Sequence, residues 1–308
     1  MKIVFMGTPQ AAVPCLERLL LDGHDLVAVY TQPDRPSGRG NRLTAPPVKE
    51  FAESTGLNVF QPAKIRSPEA VAFFRALAAD VAVVVAYGRI LPVGYLEAFP
   101  RGAINVHFSL LPKFRGAAPV NWAIVNGARE TGVTTMRMDE GLDTGDILLQ
   151  SRTAIGEFEN SIELMSRLAI DGAALLSETL RRLDEIVPVP QDNAAASLAP
   201  IMSKEDGRID WQRPAAEIAN RVRGFQPFPT SFTFLREKKL TIWMAQAVEG
   251  EESRDAGAVL KAYGADLIVA CGDGAALKII ELQIEGKRRM TARDFLNGVR
   301  IETGELLG

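Results

Sequence analysis

Val81-Ala82-Val83-Val84-Val85-Ala86-Tyr87 is an unbroken apolar run. A strand with one face in water alternates apolar and polar residues. A run that is apolar throughout reads instead as a central strand, buried on both faces of a parallel sheet. Working outward, shorter strand-like segments stand at residues 2–6, 26–31, 58–60 and 103–108, with amphipathic stretches between them. Cys15-Leu16 and Leu19-Leu20 form an apolar stripe closed by Gly23, a helix-ending signal. Ser67-Pro68-Glu69 supplies an N-cap, a first-turn proline and an acidic first turn for another helix. Strand alternating with helix predicts an α/β domain, a mostly parallel sheet covered on both faces. Strands at 133–138 and 147–155 then lead into a long helix over roughly 161–184.

The character changes after that helix. Val187-Pro188-Val189-Pro190, then Ala194-Ala195-Ala196-Ser197 to Pro200, has neither helical nor strand period and reads as a linker. Beyond it, one short helix (214–223) precedes strand-like segments at 230–235, 240–245, 258–262, 267–271 and 277–282. Asp273-Gly274 predicts a hairpin turn, and Thr291-x-x-Asp294 opens a short last helix with Gly298 beyond. This half reads as a small β-barrel. The expected domains are 1–186 and 207–308, joined by a linker over 187–206.

With 308 residues, 47% hydrophobic and 24% charged, the chain can bury two cores. No apolar run is long enough to span a bilayer, and Lys2-Ile3-Val4-Phe5-Met6-Gly7 reads as a strand rather than a signal peptide. Cys15 and Cys271 lack metal-ligand spacing, which argues against zinc or a disulfide framework and suits a reducing cytoplasm. Net charge is −3, and residues 201–308 hold 16 basic and 16 acidic side chains. Contact with nucleic acid would therefore need local clusters rather than a basic domain.

Chemistry concentrates around Asn105-Val106-His107. His107 is one of only two histidines, and Ile104, Val106 and Phe108 alternate with Asn105, His107 and Ser109. On a strand that places the amide and the imidazole on one face, able to hold a carbonyl and handle a proton; a solvated strand face is the plainer alternative. The other histidine, His24, sits in Asp22-Gly23-His24-Asp25 and reads as a surface-turn residue. Asp143 lies between Gly141 and Gly145, but Asp139, Glu140 and Asp146 are close by, and composition alone cannot choose among the four. Gly7-Thr8-Pro9 follows the first strand without Gly-x-Gly-x-x-Gly, so the scaffold reads as Rossmann-like with no dinucleotide. Gly88, Arg89, Ile90, Leu91 and Pro92 follow the central strand, at the sheet edge where α/β proteins bind ligands. The long loop from Thr31 to Lys49 holds four prolines, two glycines, three arginines and one lysine against Asp34 alone. It suits either a grip on a phosphate backbone through Arg39 and Arg42 or a solvated loop.

Asn105-Val106-His107 with Ser109-Leu110-Leu111-Pro112 and Arg115-Gly116 resembles the signature of the 10-formyltetrahydrofolate-dependent formyltransferase family. Met138-Asp139-Glu140-Gly141-Leu142-Asp143-Thr144-Gly145-Asp146-Ile147 resembles that family's second signature. Gly7-Thr8-Pro9, the loop from Thr31 to Gly40, the Arg-Gly-Ala-Ala-Pro ending at Pro119 and Ile209-Asp210-Trp211 resemble the branch that formylates methionine esterified to tRNA. The resemblance spans nearly the whole chain. It implies that 10-formyltetrahydrofolate is consumed as co-substrate, with no metal, and that the C-terminal domain is oligonucleotide-binding-like. It further implies a soluble cytoplasmic enzyme whose partner is initiator methionyl-tRNA.

By the same resemblance, Asn105, His107 and Asp143 are catalytic, and Asp143 is the carboxylate selected from its cluster. Ser109, Leu110, Leu111 and Pro112, with Gly88, Arg89, Ile90 and Leu91, would line the folate pocket. Arg39, Arg42 and Lys204 would contact the tRNA. The implied chemistry is attack of a neutral amine on the formyl carbon, with Asn105 and His107 stabilising the oxyanion. Asp143 would orient His107 and help remove the amine's proton; whether His107 serves as base or cationic donor stays open. Rival readings keep the site but change the acceptor to glycinamide ribonucleotide, a sugar-nucleotide amine or water. A non-catalytic RNA-binding module is a further alternative.

Overall fold

Every residue of the Val81–Val85 strand is buried, as its composition requires, and both its neighbours, Lys2–Gly7 and Ala103–His107, run parallel to it. The computed structural model describes residues 1–37, 42–250 and 255–308; the side chains of Ser37 and Arg42 are also outside what it describes. The sheet has seven strands, in the order Ile147–Ala154, Glu130–Arg137, Ala103–His107, Val81–Val85, Lys2–Gly7, Asp25–Tyr30 and Val59–Phe60. The first two are antiparallel and the rest parallel. On one face Val4, Met6, Ala82 and Val84 pack with Phe74 and Tyr95, whose rings stack at 3.9 Å. The Ser161–Arg181 helix approaches the other face closely: a Cβ on Gly172 would lie 3.2 Å from Val106 and 3.3 Å from Phe108. Apolar side chains buried this fully contribute about 1.5–3 kcal/mol each, so the sheet edge is a rigid platform.

Contacts divide the chain into two units, and neither is continuous in sequence. One comprises Met1–Gly116, Glu130–Ala154 and Met165–Ala199; the other comprises Ala117–Arg129, Ile155–Leu164 and Pro200–Gly308. The proline-rich stretch after residue 187 is not loose chain. Val189 exchanges two backbone hydrogen bonds with Ile147, and Leu198–Ala199 pairs in parallel with Arg115–Gly116. The short helices Pro47–Ser54, Val93–Leu96 and Pro119–Val125 were not expected from the sequence, because four to eight residues hold too few turns to display a helical period.

In the second unit an antiparallel sheet runs Ser231–Leu235, Lys238–Val248, Ala276–Ile284, Asp266–Ala270, Val259–Tyr263, and Met290–Thr291 pairs with Ala276–Ile284. Gly274, at φ +79°, lies in the expected hairpin turn, and the Thr291 side chain caps the last helix by accepting from the Asp294 N–H. The helix Ala215–Gly224 packs Ile218 and Val222 into a core with Trp211, Leu240, Leu267, Leu282 and Phe295. The sheet is open: among the described residues no ladder joins Ser231–Leu235 to Val259–Tyr263. The C-terminal segment bonds to both edges instead, through Val259 N–H to Glu305, Leu307 N–H to Gly257 and Gly308 N–H to Phe234.

Candidate active site

The parallel strands bring the loops after Gly7, Tyr30, Val85 and His107 to the same sheet edge. Asn105 pairs with Val84 on one side and Met136 on the other, and His107 pairs with Thr134. Both side chains sit on one strand face, 8% and 5% exposed. Among the described residues no hydrogen bond engages the Asn105 amide. Asn105 is not among the fully buried polar groups left without a partner, so its amide keeps contact with solvent and is available to a ligand.

His107 is held from both ends. Its Nε2 donates to the Phe114 carbonyl at 2.9 Å, and Nδ1 lies 3.7 Å from Asp143 Oδ2. That second distance is long for a hydrogen bond but within easy Coulombic reach. Asp143 Oδ2 accepts from the Gly116 N–H at 2.8 Å, while Oδ1 has no hydrogen bond among the described residues. Asp143 sits at φ +55°, a left-handed conformation costing about 1 kcal/mol for a residue with a Cβ. Gln191 Nε2 holds that turn, donating to the carbonyls of Asp143 at 2.9 Å and Gly145 at 2.7 Å. Gly145 cannot carry a side chain, since a Cβ would lie 1.7 Å from the Arg137 carbonyl.

The four neighbouring carboxylates are separated by geometry. Asp139 accepts from Gly141 N–H and from the Thr144 hydroxyl, and so braces the loop itself. Only Asp143 comes within ion-pair distance of His107 among the described residues.

The turn after His107 is pinned to the antiparallel strands. The fully buried Thr134 hydroxyl donates to the Ser109 carbonyl and accepts from Leu111 N–H, and Gln150 donates to the Leu111 carbonyl. Ser109 itself donates to the Lys113 carbonyl at 2.6 Å. Leu110 packs where Gly132 leaves room, and Leu111-Pro112 is a cis peptide. Gly88 has φ +82°, Leu91 joins the core and Ile90 is 68% exposed. The Arg89 guanidinium is occupied by the carbonyls of Pro62 and Ala63, and by Gln32 Oε1. Beside Arg89 and Ile90 opens a cavity of about 570 Å³, with Lys64 and Arg66 in its lining.

Arg39 and the Arg42 side chain lie outside the described residues. Lys204 is exposed in the second unit, and its ammonium makes no ion pair among the described residues. His24 is remote in kind: its Nδ1 lies 3.3 Å from the Met1 ammonium, and burial first, then that charge, holds its imidazole below the ordinary range. Sequence reasoning missed Gln191, Asn193, Ser197 and the Phe114 carbonyl. The available signal was Gln191-Asp192-Asn193, three polar side chains inside a stretch of prolines and alanines. No group of three or more His, Cys, Asp or Glu among the described residues is arranged to hold a metal ion.

Residues 1–180 match the family model described as formyl transferase, and residues 201–300 that of the formyl transferase C-terminal domain. The methionyl-tRNA formyltransferase of Solibacter usitatus is 51% identical over 310 residues, covering 100% of this chain and 99% of the relative. That of Citrifermentans bemidjiense is also 51% identical, covering 100% of this chain and 96% of the relative. Among solved structures, the N-formyltransferase from Helicobacter canadensis, in complex with folinic acid and dTDP-3-aminofucose, aligns with a TM-score of 0.68. At 19% identity, over 91% of this chain and 98% of that one, this likeness is one of fold.

Proposed function

The chain belongs to the methionyl-tRNA formyltransferase family, and on that premise we propose that Asn105, His107 and Asp143 perform its reaction, the transfer of a formyl group from 10-formyltetrahydrofolate to methionyl-tRNA. The folate is a co-substrate, consumed in each turnover. The observation that carries the assignment of residues is the free Asn105 amide, on the same strand face as an imidazole backed by a carboxylate.

The Asn105 N–H is available to the formyl oxygen as charge grows on it, an interaction worth about 3 kcal/mol when donated in the transition state. His107 Nε2 donates to the Phe114 carbonyl and Nδ1 faces Asp143 at 3.7 Å, so the imidazole stands against a carboxylate in either of the two roles, base or cationic donor. Oδ1 of Asp143, which has no hydrogen bond among the described residues, accepts the proton released by the attacking amine, directly or through one water. The tetrahedral intermediate collapses as the bond from the formyl carbon to N10 breaks and N10 leaves protonated, as tetrahydrofolate. Ser109, Leu110, Leu111 and Pro112, with Gly88, Arg89, Ile90 and Leu91, form the folate-facing rim. Exposed Ile90 supplies apolar contact, and Arg89 holds the rim through its carbonyl bonds. Lys64 and Arg66, with no ion-pair partner among the described residues, suit the anionic end of a folate.

The acceptor is initiator methionyl-tRNA, gripped by Arg39, Arg42 and Lys204. Residues 1–186 carry the catalytic side chains, 187–206 form a connection whose first half also packs against the site, and 207–308 act as an oligonucleotide-binding-like domain facing the tRNA. The C-terminal segment's bonds to both sheet edges support the barrel-like reading of that last domain. Two free buried cysteines suit a cytoplasmic setting, and no described helix is long and apolar enough to cross a membrane. The test is direct. Purified protein is incubated with 10-formyltetrahydrofolate and either charged initiator or charged elongator methionine tRNA, and formylated methionine is measured. Equal formylation of both would remove the initiator assignment, and no formylation with the Asn105, His107 and Asp143 side chains intact would remove the site.

A further inference from the structure

Arg115 is a buried guanidinium, 6% exposed, with no carboxylate within ion-pair distance among the described residues. Its Nε and one terminal nitrogen both donate to Gln191 Oε1, at 3.0 and 2.8 Å, and the latter also reaches Asn193 Oδ1 at 2.9 Å. A guanidinium has no acceptor to offer, so it fixes which end of the Gln191 amide faces it. The NH2 end must then point the other way, and there it meets the carbonyls of Asp143 and Gly145.

We propose that Gln191 is a positioning residue for formyl transfer: clamped by Arg115, its amide sets the backbone of the loop that aims Asp143 at His107. The inference rests on the reading of Asp143 given above. Six residues on, Ser197 acts on the other end of the imidazole. Its hydroxyl accepts from the Phe114 N–H at 2.9 Å and its carbonyl accepts from the Arg115 N–H at 2.8 Å. Those two bonds fix the peptide whose carbonyl receives His107 Nε2. Residues 191–197 therefore brace both partners of His107, although their composition reads as connecting chain. The brace ties three separate stretches: the turn after His107, the glycine-bounded loop of Asp143 and the segment after the long helix.

The experiment uses the full-length protein with Gln191→Glu, Gln191→Ala and, as a control, Asp143→Asn. Glutamate keeps an acceptor for Arg115 but offers no donor to the two loop carbonyls at neutral pH. Misplacement of a reacting group by a fraction of an ångström is expensive, so kcat of Gln191→Glu is expected to fall about 10-fold or more. KM for each substrate should stay within about 2-fold, because the groups that bind substrate are untouched. The ratio of Gln191→Glu to wild-type kcat should rise as pH is lowered, since a protonated glutamate regains an O–H donor; Gln191→Ala should show no such recovery. Unchanged kcat in folded Gln191→Glu, a raised KM at constant kcat, or a ratio independent of pH would each overturn the proposal. If Gln191→Ala does not fold, Gln191→Glu still decides the matter. Collapse of turnover in Asp143→Asn alone would remove the positioning role and leave Asp143 in place. Full turnover in Asp143→Asn would instead remove the reading on which the inference rests.

Discussion

The two units differ in where their polar networks are concentrated. At the candidate active edge of the first, the side chains of Asn105, His107, Ser109, Arg115 and Thr134 are all buried, and among the described residues every one but Asn105 has a hydrogen bond within the protein. The core of the second is largely apolar, and the buried donors it holds are bonded, the Trp211 indole N–H to Thr233 and the Gln226 amide to the Val222 and Trp243 carbonyls. Its charges lie outside, in pairs such as Arg236–Glu305, Arg289–Glu281 and Lys261–Asp266–Lys278. A buried polar group left unpaired is expensive, so a satisfied network holds its members to one geometry. Exposed ion pairs are worth little and rearrange freely. The first arrangement suits chemistry that needs fixed atoms; the second leaves its surface charges free to rearrange.

The largest expected effects test the rigid half of that contrast. His107→Ala and Asp143→Asn should each lower kcat by about 100- to 10,000-fold, the usual range for a positioned acid or base, with affinity for both substrates retained. Single-turnover formylation together with direct binding measurements checks this. A loss of affinity at constant kcat would move both residues from chemistry to binding. Asn105→Ala comes next, with about 100-fold or more lost if its amide donates to the developing oxyanion. Because that amide makes no hydrogen bond among the described residues, the melting temperature should hardly change; a large drop in it would turn Asn105 into a structural residue.

Smaller effects concern the proposed contacts with tRNA and the exposed charges of the second unit. Arg39→Ala should weaken productive use of charged tRNA about 10-fold, the scale of one charge-assisted contact, without altering folate binding. Binding of tRNA by the intact protein should weaken with added salt along a modest slope, as few phosphate contacts require. Equal losses toward tRNA and toward a small amine acceptor would place Arg39 in the chemical step instead. The smallest effect concerns Asp266, whose carboxyl is held down at about 2 by the ammonium of Lys261 first and that of Lys278 second. A depressed carboxylate stabilises the fold fully above its unfolded value of about 3.9, and that contribution disappears as pH falls through about 2. Asp266→Asn should therefore melt slightly below wild type at pH 7, with the gap closing on acidification. A gap that persists at pH 2 would show that the pair does not act through charge.

Much of this was legible in the chain itself. The apolar run at residues 81–87 determined a central strand, because only burial on both faces tolerates it, and the alternation from Ile104 to Phe108 put Asn105 and His107 on one face. Thr291 and Asp294 gave a helix start that the Thr291 side chain does cap. Local chemistry suffices for such features, since each depends on residues two to four positions apart. From sequence the choice among Asp139, Glu140, Asp143 and Asp146 rested on resemblance; in the structure Asp143 is the one of the four, among the described residues, within ion-pair distance of His107.

What the tertiary structure alone decided joins residues far apart in the chain. Arg115 meets Gln191 across 76 positions, and Gln191 meets the Asp143 carbonyl across 48. No periodicity encodes such pairs, so residues 187–200 read as a linker when only their prolines and alanines could be weighed. The same holds for the assignment of Pro119–Val125 to the second unit, where Asn121 donates to the Gly224 carbonyl across 103 positions. Sequence determines which segments must be buried and what each residue can donate or accept. Which donor finds which acceptor is settled only when distant segments are brought together, because a buried polar group must take whatever partner the packed chain places within reach.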